Sequence, residues 1–104
     1  MDDNRLIALK AALENDPEDS FSRYALGLEY YSASMIEESR TAFEELITRD
    51  PNYLAAYYQL GKVYESAGEI DLARRIYEKG IYVAASQNEM HTKTELEEAL
   101  DGLL

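Results

Sequence analysis

Apolar residues recur along this chain at helical intervals, broken by a few short polar stretches. In residues 5–15, Leu6, Leu9 and Leu13 share one stripe, among Ala8, Ala11 and Ala12, which favour helix. The run stops at Asn15-Asp16-Pro17, because the residue before a proline is pushed out of the helical region. Beyond it the spacing predicts two antiparallel helix pairs, over 20–33 with 36–49 and over 53–67 with 70–84. A last amphipathic helix within 89–104 puts Leu96, Ala99, Leu100 and Leu103 on one stripe, with Glu97, Glu98 and Asp101 outside it. Thr92 or Thr94 is its expected cap, each followed three residues later by a glutamate. The pattern is all-α.

The pattern also repeats. Tyr57-x2-Leu60-Gly61-x2-Tyr64 is followed by Ala73 and Tyr77; 34 residues earlier stand Arg23-x2-Leu26-Gly27-x2-Tyr30, then Ser39 and Phe43. Aligned at that offset, residues 17–50 and 51–84 share 11 identities, among them Pro17/Pro51, Tyr24/Tyr58, Gly27/Gly61 and Ile47/Ile81. A period of this length means stacked helical hairpins. Gly27 and Gly61 lack a Cβ, so a partner helix can approach closely opposite Ser39 or Ala73, with Phe43 and Tyr77 expected at the seam to the next hairpin. Leu9 and Leu13 fall in register with Phe43 and Ile47, so residues 5–15 read as half a repeat.

This period and pattern resemble the tetratricopeptide repeat, in the form of a small bacterial-type protein or domain. The resemblance implies a right-handed α-solenoid of antiparallel helix hairpins with a C-terminal capping helix. It implies one domain over 1–104: a half-repeat helix at 5–15, repeats at 17–50 and 51–84, and a cap at 89–104. Departures from the family pattern are local. Arg23 replaces a large aromatic, Leu46 a small residue (which predicts splaying there), and Ala85 the proline that would end the helix near Ala84, so the helix from 70 is expected to run on toward Gln87. Ser34-Met35 stands where the second repeat has Gly68-Glu69, which predicts a looser or differently shaped first turn.

Charge narrows the partners. The net charge of −11, from 21 acids and 10 bases, is spread along the chain and disfavours nucleic acid and anionic membranes. Well-solvated helices are its simplest explanation, with a basic partner or a salt-rich host as sharper ones. Cysteine is absent, so packing must hold the fold. The acidic Met1-Asp2-Asp3-Asn4 start is unlike a signal peptide and no stretch is long enough to span a membrane, so a cytoplasmic location is expected.

Catalytic chemistry finds little footing. Adjacent acids such as Asp2/Asp3, Glu37/Glu38, Glu44/Glu45 and Glu97/Glu98 point apart on a helix and stay solvated, whereas acid–base work needs carboxylates held in a pocket. No phosphate-cradling glycine loop and no nucleophile–base pair is present. His91 with Glu95 and Glu98 could line one helix face, but one histidine among scattered acids is weak evidence for a metal. No enzyme activity, cofactor or metal is expected.

The resemblance places binding on a concave face made by the first helix of each repeat. Carried over residue by residue, that face holds Phe21, Tyr24, Leu28, Tyr31 and Ser32, then Ala55, Tyr58, Lys62, Glu65 and Ser66. Some relatives grip a terminal carboxylate there with several polar residues, of which only Lys62 remains. Tyrosines with polar tips suit a peptide or helix of a protein partner instead. The alternative is a self-associating scaffold, or a piece of a larger repeat protein, dimerising through a partly bare Leu6, Ile7 and Leu9 face.

Overall fold

The computed structural model describes residues 3–104, so Met1 and Asp2, and with them the Asp2/Asp3 pair, lie outside the described residues. It holds six helices and, among those residues, no strand: α1 Asp3–Asn15, α2 Ser20–Ser32, α3 Ile36–Arg49, α4 Ala55–Ser66, α5 Ile70–Ser86 and α6 Met90–Asp101. The chain divides into two compact units, Met1–Tyr53 and Leu54–Leu104. In the first, α2 packs on both α1 and α3; in the second, α5 packs on both α4 and α6.

Each hairpin closes on a glycine. In the first unit a Cβ on Gly27 would stand 2.6 Å from Phe43 Cε1, so the ring lies directly on the bare backbone. Ser39, fully buried, donates its hydroxyl to the Gly27 carbonyl at 2.9 Å. In the second unit Tyr77 lies on Gly61 in the same way, with Ala73 buried at the position that matches Ser39. The rings expected at the seam to the next hairpin thus pack within their own. Leu46, for which splaying was predicted, is fully buried.

The first turn corrects the sequence expectation. Met35 N–H bonds the Tyr30 carbonyl and Ser34 N–H bonds that of Tyr31. In the second hairpin Glu69 bonds Tyr64 and Gly68 bonds Glu65 in the same pattern. Both are the paired closure that ends a helix in a left-handed residue. Gly68 takes φ 76° at no steric cost, whereas Ser34 holds φ 62° with a side chain. The turn is as tight as its glycine counterpart because the same two orphan carbonyls must be satisfied. Ser34→Gly should therefore stabilise the chain by about 1 kcal/mol, the cost of a non-glycine residue in that region, seen as a higher midpoint in thermal melting.

Two further helix ends bear on the sequence reading, the first following it and the second departing from it. With Ala85 in place of proline, α5 runs on to Ser86. A third turn of the same type follows, with Asn88 at φ 59° and Glu89 N–H on the Ala84 carbonyl. Because that turn launches α6 at Met90, neither Thr92 nor Thr94 caps it; Thr94 Oγ1 instead donates to the Met90 carbonyl inside the helix. A side-chain cap does occur on α2, where Asp19 accepts from Ser22 N–H at 3.0 Å and from the Ser22 hydroxyl at 2.6 Å. Those bonds hold the Asp19 carboxyl below its ordinary range.

Candidate functional site

The first helices of the two hairpins carry most of the residues singled out for binding, and each unit presents its own group. On α4, Tyr58 and Lys62 are one turn apart, so the Lys62 ammonium stands 5.3 Å from the centre of the Tyr58 ring. Lys62 Nζ also lies 3.5 Å from Glu65 Oε2. That carboxylate accepts a short hydrogen bond from the Tyr77 hydroxyl of α5, and the Tyr77 ring lies 6.3 Å from Tyr58. Tyr58, Lys62 and Glu65 are all half-buried. The expected α4 residues therefore do meet, in a cluster that offers an aromatic face, a cation and an anion within two helical turns.

On α2 the expected residues are less united. Tyr24 is half-buried, edge-on to Phe43 at 5.8 Å and against Tyr53 at 5.4 Å. Phe21 stands 69% exposed and is in no ring contact with a described residue. Leu28 and Tyr31 are half-buried. Tyr53 was missed by sequence reasoning, because it sits in the link after α3, where the repeat alignment pairs it with Asp19. Burial, then the nearby Tyr24, Asp50 and Asp19, keeps its phenol from ionising until above the ordinary tyrosine range. An aromatic beside a proline turn and two residues ahead of a helix is the signal that could have found it.

The other candidates separate. Leu6 and Leu9 are half-buried and Ile7 is 65% exposed, on an α1 that carries no buried residue. His91 Nε2 lies 3.7 Å from Glu95 Oε1 on an open helix face. No group of three potential metal ligands comes together among the described residues. No helix among them is long and apolar enough to cross a membrane.

These paired antiparallel helices, closed on a glycine and an aromatic ring and repeated at a fixed interval, define an all-α helical-repeat protein. The tetratricopeptide repeat family model matches residues 24–89, and the chain belongs to that family. A tetratricopeptide repeat domain protein from Salinibacter ruber, solved by NMR, is 39% identical over 85% of this chain and 89% of that one, with a TM-score of 0.80. A crystal structure of such a domain from the same organism is 36% identical, covering 82% and 96%, with a TM-score of 0.78. The TPR2B domain of yeast Sti1, solved in complex with pHsp70, shares the fold at a TM-score of 0.88 over 94% of this chain and 78% of that one, at 16% identity. No curated protein matches the sequence significantly. The family fold is commonly a non-catalytic protein-interaction module.

Proposed function

We propose that this chain is a non-catalytic module that binds a peptide or helix of a protein partner through the exposed sides of α2 and α4. The observation that carries the reading is the α4 cluster, where Lys62 lies over Tyr58 beside Glu65. An aromatic face covers apolar side chains at small entropic cost, and the adjacent charges hydrogen-bond a peptide backbone. On α2, Tyr24 is braced by Phe43 and Tyr53, so it presents a rigid edge, with Phe21 and Tyr31 as further contacts. The yeast Sti1 domain, which has a partner bound, shares this fold and supports the mode of use without naming a partner here. Lys62 is already engaged by Tyr58 and Glu65, which argues against a clamp for a terminal carboxylate.

The test compares wild type with Tyr24→Ser/Tyr31→Ser/Tyr58→Ser as bait in host lysate, after circular dichroism shows equal helicity. Truncating central aromatics commonly costs about 2 kcal/mol or more each, so the variant should lose the proteins that wild type retains. An identical catch would sink the reading. It would turn attention to the second one, self-association through α1, which the exposed Ile7 favours and a dimer mass in light scattering would support.

A further inference from the structure

The first unit carries an open groove of about 500 Å³ that the binding residues above do not line. Its walls are Leu13 of α1, Arg23, Leu26 and Tyr30 of α2, and the Glu37, Glu38, Thr41, Ala42 and Glu45 side of α3. The repeat alignment gives a reason for the space: Arg23, Thr41 and Ala42 stand where the second repeat has Tyr57, Arg75 and Ile76. The lining is ordered by chemistry. Leu13, Leu26, Ala42 and Tyr30 are apolar or aromatic. Arg23 is 8% exposed, is anchored by one hydrogen bond from Nη1 to the Pro17 carbonyl at 2.7 Å, and is in no ion pair with a described residue. At the rim Glu37 and Glu38 are exposed and likewise in no ion pair with a described residue, while Glu45 accepts from Arg49 at 2.6 Å.

We propose that this groove docks a basic amphipathic helix of a protein partner, with its apolar side chains inward and lysines or arginines along its flank. Charge complementarity sets the partner's sign. With Glu45 held by Arg49, the rim carboxylates of Glu37 and Glu38, on a chain of net charge −11, repel an acidic segment and attract a basic one. The buried Arg23 cation keeps a partner's base away from the wall it occupies, so the bases sit at the rim and apolar groups fill the interior. Length sets the partner's form. From Glu37 to Glu45 the rim follows α3 for roughly 12 Å at 1.5 Å per residue, which is two turns of an opposing helix rather than one small head group. An apolar stripe laid into a groove is an established mode of helix recognition.

The test is an NMR titration of the labelled full chain with two synthetic helical peptides, one of leucine and lysine and one of leucine and glutamate. The lysine peptide should saturate, shifting the amides of Leu13, Leu26, Thr41 and Ala42, and the glutamate peptide should not. Ala42→Leu fills the groove without altering charge and should weaken binding about tenfold. Should that variant fail to fold, Glu37→Gln/Glu38→Gln, which changes only exposed side chains, should weaken binding several-fold, with Glu97→Gln/Glu98→Gln on α6 leaving it unchanged. Equal weakening by both glutamine pairs, undiminished binding to folded Ala42→Leu, or shifts centred on Tyr24 and Tyr58 would overturn the proposal. So would shifts that grow with protein concentration alone, since they would name a second copy as the occupant.

Discussion

Leu96→Ala is expected to destabilise the second unit by about 2–5 kcal/mol, the usual cost of emptying a fully buried leucine site. Leu96 is the one buried residue of α6, so the hold of that helix on its neighbours is concentrated in a single side chain. It sits where α5 presents Gly80: a Cβ there would stand 3.1 Å from Leu96 Cδ1 and 2.7 Å from Tyr57 Cβ. Tyr57, at the same junction, is itself fully buried, so the alanine would open a void inside the core, where the surroundings relax only in part. Urea denaturation reads the effect as a lower midpoint, and hydrogen exchange should show α6 amides losing protection first. Unchanged stability would mean that α6 does not close the second unit.

Gly61→Leu is expected to destabilise the same unit by roughly 1–3 kcal/mol through overpacking. Two effects oppose each other here. Replacing a helical glycine recovers about 1 kcal/mol of propensity, but the new Cβ would stand 2.0 Å from Tyr77 Cε1, far inside contact distance. The ring cannot swing clear, because it is fully buried. Steric overlap therefore wins. Gly27→Leu should be milder, since the matching gap to Phe43 is 2.6 Å. Tyr77→Phe should not rescue Gly61→Leu, because the clash is with ring carbons. Melting curves of the three variants test this order, and a Gly61→Leu protein that melts with wild type would refute the packing of α4 on α5.

Parts of the candidate site were legible for the same reason as the helices. Tyr58 and Lys62 are four apart, and any helix stacks such a pair on one face. The tie from Glu65 to Tyr77 is different, since it joins residues on two helices and depends on how closely Gly61 lets them approach. Tyr53 escaped notice because nothing in its local sequence places it beside Tyr24. The groove escaped for a related reason. The alignment marked Arg23 as a departure, but the space that goes with it has walls on three helices.

What the sequence by itself determined, then, is whatever depends on near neighbours and on repetition. Periodic apolar positions set the helices, Pro17 ends α1, and the recurring Leu-Gly-x2-Tyr unit sets the family. Turn chemistry was only half legible: Gly68 announces a left-handed residue, whereas Ser34 adopts one because the hairpin on either side requires it. The tertiary structure decided which ring lies on which glycine, that Leu96 and Gly80 share one junction, and that Arg23 is buried beside open space. Those facts depend on side-chain volumes meeting across helices, which the spacing along any one helix does not state.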